Sequence, residues 1–266
     1  MTPGHQIPKA WLAAWTGATV FFLLAPLACV ALVSLTPKDY ISIPTGAVSL
    51  KWYAAIFNHP AFLASARNSL LLATAAAATA LLLGMAASVA LVRYRFRFRS
   101  VVQLVTMSPL FIPMVMSGLA ILIYTKHLGW ESQGGRLFVG HAILTLPYVV
   151  RTIMASLAGF DPNQELAARN LGAAPLEAFL LITLPQLGPG IFAGAIFAFI
   201  VSFDNVGLSI FLTGSQLNTL PVELYSYASY NNDPTSAAVS VLMILFSVVA
   251  IAALEFLFGL QKIMRG

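Results

Sequence analysis

Six stretches of mostly apolar sequence, each at least about 20 residues long, limit the folds open to this chain more than any other feature. They cover residues 11–35, 69–92, 101–124, 137–158, 188–212 and 236–259. A helix needs about 20 such residues to cross the hydrocarbon core of a bilayer, whereas a spanning strand needs only about 9–11 in alternation. The runs are too long and too little alternating for strands. The expectation is an all-α membrane protein, six transmembrane helices in a single domain over residues 1–266. Composition leads to the same place. Only 9% of the residues are charged and 59% are hydrophobic, against roughly 25% charged in soluble domains, so a water-facing surface is out of reach. The first run is longer than the roughly 7–15 apolar residues of a signal peptide and no clear small-residue cleavage site follows it. It reads as an uncleaved first span. The single cysteine, Cys29, excludes a disulfide framework or a cysteine metal cluster within the chain.

The net charge of +5 and pI near 9.5 are compatible with nucleic acid or with basic residues held at one membrane face. Arg93, Arg95, Arg97 and Arg99 alternate with aromatics in the gap between the second and third runs. Arginine interleaved with aromatic rings can stack bases, but between two spans it reads as a topology anchor that puts this gap in the cytoplasm. No nucleic-acid partner is expected. With six spans both termini then lie inside, in keeping with Lys9 at one end and Lys262 and Arg265 at the other. Pro26, Pro109, Pro113, Pro147 and Pro189 fall in spans and are expected to kink them. Gly190 and Gly194 form a GxxxG pair, read as helix packing.

The segment 159–190, GFDPNQELAARNLGAAPLEAFLLITLPQLGPG, joins the fourth and fifth spans and carries its own helix signals. Asp161 is a candidate N-cap with Pro162 at the first helical position and Gln164 placed for a capping box. Gly172 can close that helix because glycine accepts positive φ. A second short helix is expected from about Pro175 to Ile182, so the loop reads as two short helices along the membrane face. Glu177 is expected on its solvated side.

This loop resembles the EAA loop of bacterial ABC importer permeases, the binding-protein-dependent, MetI-like family. The family pattern is Glu-Ala-Ala, three residues, Gly, nine residues, Ile, any residue, Leu-Pro. Here Ala167 and Ala168 are followed at those spacings by Gly172, Ile182, Leu184 and Pro185. One position departs: Leu166 stands where the family has Glu, and Glu165 precedes it, which turns the carboxylate about 100° around the helix. Lys51-Trp52-Tyr53, the Arg93–Arg97 stretch, Met107-Ser108-Pro109, Ser202-Phe203-Asp204-Asn205, the Leu220–Ser226 segment and the Asp233–Ala238 stretch are similar to the second permease of spermidine/putrescine importers. The resemblance implies that residues 159–187 form a coupling loop docking on an ATP-binding subunit, through Glu165, Ala167, Ala168, Gly172, Ala173, Leu184 and Pro185. It implies a non-catalytic inner-membrane subunit that pairs with a second, homologous permease, two ATP-binding subunits and a periplasmic solute-binding protein. ATP and magnesium belong to the partner ATPase, and the chain has no GxxxxGK[ST] phosphate loop of its own.

Asp204 is the most informative ionisable residue of the spans. A carboxylate deep in a bilayer costs roughly 2.5–3.5 kcal/mol and faces a cavity or a partner. It reads either as part of a path for a cation such as a polyamine, or as an acid paired with a basic group or set at a helix break. Phe203 offers cation–π contact, and Asn205 shares the cavity or makes a helix–helix hydrogen bond. Ser108 and Pro109 supply a kinked wall or pack. Glu223, Tyr225 and Tyr227 in the last outer loop are candidates for contact with the binding protein, or are interfacial aromatics. His141 reads as a packed polar residue and Glu255 as lying near the inner interface. No metal site or catalytic set emerges. A secondary transporter or channel is the rival reading. It lacks support, because no internal repeat is visible and acids other than Asp204 are nearly absent from the spans. Within the importer reading, an amino acid, ferric iron or sulfate stands as the alternative cargo.

Overall fold

The computed structural model describes residues 9–214 and 216–258, without the side chains of Leu254, Glu255, Leu257 and Phe258. The expectations for Glu255, Lys262 and Arg265 lie outside that description. Among the described residues all the regular secondary structure is helical, with no strand. Its backbone contacts fall into two compact units.

One unit holds residues up to Pro60 together with Ser226–Leu245. Helix α1 (Lys9–Ser34) is apolar on every side and almost wholly exposed, as a helix facing lipid is. The short α2 (Lys51–Phe57) is fastened back onto its end. Tyr53 Oη lies 2.8 Å from Ser34 Oγ, and Trp52 Nε1 donates to the Thr36 carbonyl at 2.8 Å. Lys51 Nζ sits 2.7 Å from Asp39 and over the Trp52 ring.

The other unit holds Ala61–Tyr225 and the chain from Phe246 onward. Helix α3 (Pro60–Arg93) buries a stripe of small residues, Ala73, Ala76, Ala77, Ala80, Gly84 and Ser88. That spacing of three or four residues puts all of them on one face. The expected third span is not one helix. It is α4 (Arg99–Met107), a 3₁₀ turn at Ser108–Leu110 and α5 (Met114–His127), bent by 108°. Pro109 sits inside the turn, and Pro113 caps α5 with ψ at 131°. Neither can continue an α-helical ladder.

Helix α6 (Gln133–Ala158) is the most deeply buried of the long helices. It is followed by α7 (Pro162–Asn170), α8 (Pro175–Ala178), α9 (Leu184–Gln186) and α10 (Gly188–Phe203). The expected fifth span to residue 212 also stops early. After Phe203 the chain leaves the helix and resumes only as the single turn α11 (Ser209–Leu212). Two further helices follow among the described residues: α12 (Leu220–Tyr230), inside the expected outer loop, and α13 (Thr235–Phe258). Among the described residues four helices are therefore long and apolar enough to cross a membrane, and up to six spans result when each bent pair counts as one.

α6 and α10 run antiparallel at close range. A Cβ on Gly190 would collide with Ser156 Oγ and stand 2.8 Å from the Thr152 carbonyl oxygen. One on Gly194 would stand 2.6 Å from Thr152 Oγ1. Gly84 brings α3 equally close to Val149. Small residues at these crossings let backbones approach until dispersion holds them, which is the attraction available when lipid is as apolar as the side chains. Gly190→Val is expected to lose about 1–3 kcal/mol through overpacking. Gly188→Ala, which meets nothing within 4 Å, should leave stability nearly unchanged. Thermal unfolding of the two variants in detergent checks this, and equal midpoints would refute the close crossing.

Candidate functional site

The loop between α6 and α10 is built from local chemistry. Asp161 accepts a hydrogen bond from the Asn163 amide at 3.0 Å, with Pro162 following as the first helical residue. At the other end Gly172 takes φ of +103°. Its amide donates to the Arg169 carbonyl (3.0 Å), and the Ala173 amide donates to that of Ala168 (3.1 Å). These two bonds are the Schellman arrangement, which satisfies the last carbonyls of α7. Gln164 does not close a capping box. Its Oε1 accepts from Gln186 Nε2 at 2.6 Å and so ties α7 to α9. The second loop helix runs to Gln186, four residues past its expected end, because residues Phe179–Thr183 wind as a π-helix that connects α8 to α9. Pro185 has no N–H for the Leu181 carbonyl, a local reason for the wider turn.

Glu165 does not point away from the protein. Its Oε2 accepts from Thr183 Oγ1 at 2.6 Å and from Arg93 Nη2 at 2.7 Å, and Arg93 also donates to Thr183 Oγ1 at 3.1 Å. The Arg93 guanidinium stands over the rings of Phe160 (5.8 Å) and Phe179 (5.4 Å). Beside this triad a pocket of about 370 Å³ is lined by Val92, Arg93, Leu157, Phe160, Pro162, Glu165 and Leu166. Burial pushes the Glu165 carboxyl up. The hydrogen bonds from Thr183 and Arg93 and the charges of Arg93 and Arg169 outweigh it and hold the carboxyl below its ordinary value. Leu166, which occupies the motif's Glu position, is 51% exposed, and Leu171 at the end of α7 is 91% exposed. Ala167 and Pro185 are exposed, while Ala168, Ala173 and Leu184 are half-buried.

The second region is the break after α10. Asp204 is its exposed C-cap residue, and Oδ2 accepts from Ser247 Oγ at 3.2 Å. Asn205 is buried, and its Oδ1 accepts from the amides of Leu208 (3.0 Å) and Ser209 (3.3 Å), supplying partners that the broken helix lacks. Its Nδ2 lies 3.2 Å from Met114 Sδ. His141 is fully buried, with Nδ1 2.7 Å from Ser202 Oγ and Nε2 2.9 Å from Ser209 Oγ, so it joins both sides of the break to α6. Phe203 is buried against Phe199 and Phe246. The structure thus brings Asp204 and Asn205 to one break but turns Phe203 into packing. Ser108, whose Oγ donates to the Val105 carbonyl, and Pro109 form the bend that leads to α5.

In the last expected outer loop, Glu223 accepts from Asn218 Nδ2 at 2.7 Å and Tyr225 is 57% exposed. Tyr227 donates to Asp233, which in turn accepts from the Thr235 amide at the start of α13.

Several residues of these sites escape a reading of the sequence. Arg93 reads as a charge at a membrane face, not as the partner of Glu165. Thr183 is the variable position of the Ile-x-Leu-Pro motif, and its hydroxyl inside an apolar run is the only hint of its part. Ser202 and Ser209 carry the same faint signal. Arg151 is the single Lys or Arg within the six apolar runs. It is exposed on α6, and no carboxylate among the described residues pairs with it.

Known proteins are similar to this chain in sequence and in fold. The chain belongs to the family of binding-protein-dependent transport system inner membrane components, whose model matches residues 80–260. It is 31% identical over 203 residues to the spermidine/putrescine transport system permease protein PotC of Escherichia coli K12, covering 76% of this chain and 77% of that protein. It is also 31% identical over 230 residues to the putrescine transport system permease protein PotI of the same strain, covering 84% of this chain and 82% of that one. Its fold matches a chain from a bacterial ABC transporter involved in the import of the acidic polysaccharide alginate. The TM-score is 0.72 at 15% identity, over 97% of this chain and 100% of that one.

Because the Glu165 carboxyl titrates below its ordinary value in the folded loop, the stability it contributes is complete above the unfolded value and is lost as pH falls through the folded one. Amide-exchange protection of residues 162–186, corrected for intrinsic rate, should hold from about pH 8 to about pH 5 and fall only in stronger acid. Glu165→Gln should lower that protection and remove the acid-dependent part. A decline already present between pH 7 and pH 5 in the parent chain would contradict the held carboxylate.

Proposed function

We propose that this chain is one of two permease subunits of an ATP-driven importer, forming half of the path of a polyamine handed over by a periplasmic binding protein. The observation that carries this reading is the loop. Its first helix is closed by Gly172 in a Schellman motif, and Ile182-Thr183-Leu184-Pro185 follow at the family spacing with exposed leucines between. Such a loop is a compact, rigid surface for a separate ATP-binding subunit, which holds ATP and magnesium. The permease itself performs no covalent chemistry. Both termini lie in the cytoplasm in this reading. It is supported by the Arg93–Glu165 contact, which sets the arginine-rich gap and the loop at the same end of α3 and α6. Polyamine cargo is supported by the two relatives' names and by Asp204, an exposed carboxylate at a break in a spanning helix. Asn205 and the Ser108–Pro109 bend shape the backbone around it, and Glu223, Tyr225 and Tyr227 face the binding protein.

The test is reconstitution of this chain with the ATPase, the second permease and the binding protein from its gene neighbourhood. ATP hydrolysis should rise only with binding protein loaded with spermidine or putrescine, and not with sulfate. Asp204→Asn should cut uptake about tenfold or more, the scale of one lost charge contact. Gly172→Val, which forces a β-branched residue into positive φ, should abolish stimulated hydrolysis. Stimulation by sulfate alone would reassign the cargo, and absence of any bound ATPase would end the importer reading.

A further inference from the structure

The loop is joined by the chain itself to α6, through residues 159–161, and to α10, through Leu187. Its link to α3 is different in kind. Beside apolar packing of Leu187 against the α3 stripe, it centres on one arginine in the last turn of that helix, held by two loop side chains and two rings. Glu165 comes from α7, Thr183 from the π-helical turn, Phe160 from the entry to the loop and Phe179 from the start of that turn. All three parts of the loop therefore meet on a single guanidinium. The group suits the task. Its planar fork donates to two oxygens at once while its faces rest against aromatic carbon. The side chains of Arg93 and Glu165 are only 24% and 15% exposed, so water competes weakly for the contact. The end of α3 is closed independently, because Arg99 Nε donates to the Leu91 carbonyl at 2.8 Å. The guanidinium of Arg93 is thus not needed to terminate its own helix.

We propose that Arg93, Glu165 and Thr183 form a latch that makes the loop and the end of α3 one mechanical body, so that movement imposed on the loop reaches α3 as well as α6 and α10. The three are positioning residues. They touch neither nucleotide nor cargo. The displaced acid of the motif acquires a role here. At position 165 the carboxylate turns inward to the latch, while Leu166 takes the outward place. α3 is 34 residues long and packs its small-residue stripe along its length, so a shift at its end is carried as a rigid-body movement. A latch of this kind contributes to transmission without contributing to ATP binding. Breaking it should separate hydrolysis from transport.

The latch rests on the importer reading, and the experiment separates the two. The complete transporter is reconstituted with Arg93→Gln, Glu165→Gln, the double variant, Thr183→Val and Arg95→Gln, an exposed charge at the same end. ATP hydrolysis with spermidine-loaded binding protein and spermidine uptake are measured in the same vesicles. Arg93→Gln and Thr183→Val, which lie outside the loop's docking residues, should still copurify with the ATPase and hydrolyse ATP at close to the parent rate. Uptake per ATP should fall about fivefold or more, the lower end of usual coupling between sites. The double variant should be no worse than either single one, because the two residues act through the same contact, and Arg95→Gln should match the parent. Unchanged uptake per ATP in the single variants, additive losses in the double, or an equal loss in Arg95→Gln would each overturn the latch while leaving the importer reading intact. So would loss of ATPase copurification in both Arg93→Gln and Thr183→Val, which would make the contact a support of the loop's fold alone. A parent chain that binds no ATPase would overturn the importer reading and the latch with it.

Discussion

Gly190 and Gly194 allow α10 to lie against α6 so closely that Thr152 and Ser156 touch the α10 backbone, and both candidate regions inherit their geometry from that crossing. With the register set by glycine, Ser202 falls opposite His141 at one end of the pair. Leu187, where the loop rejoins the spanning bundle, falls into the core with Val149, Ile153 and Leu157 at the other. In lipid no hydrophobic drive separates one apolar pairing from another. Shape must choose the partner, and glycine and alanine give a shape that larger residues would abolish. The alanine stripe of α3 extends the same principle to a third helix.

A tightly packed bundle makes breaks in the helices tolerable. Unpaired amides and carbonyls within a membrane are costly unless protein satisfies them, and here the protein does. Asn205 turns its carboxamide oxygen to the amides of Leu208 and Ser209, and His141 holds a serine on each side of the gap. Gly118 lets α5 come close to the Leu208 backbone, where a Cβ would stand 2.6 Å from its carbonyl oxygen. The bend before α5 and the break after α10 are therefore neighbours, supported by one another. Asp204 ends up exposed at the end of α10, where its carboxylate accepts from Ser247 Oγ on α13.

How much of this is legible in the sequence depends on the range of the interaction. Helix α7 is legible almost to the residue, because Asp161, Pro162 and Gly172 act on their immediate neighbours. The membrane class and the spans α1, α3, α6 and α13 follow from hydropathy alone. The two broken spans do not. Apolar residues continue across both breaks, and hydropathy cannot register that Pro113 starts a new helix or that Asn205 spends its side chain on the backbone. Gln164 has the right spacing for a local cap, yet its partner is Gln186, 22 positions away. The same limit hides Arg93, whose partners lie 72 and 90 residues further along the chain (165 − 93 and 183 − 93).

The displacement of one carboxylate by one position shows how a motif can keep its fold and redistribute its contacts. A turn of about 100° carries the acid from the outer side of α7 to the inner, where a cation and a hydroxyl are waiting. Leu166 takes the acid's place in the motif and, like Leu171, Leu176 and Leu181 further along the loop, is more than half exposed. Exposed leucines of this kind are apolar surface that lipid or another protein covers.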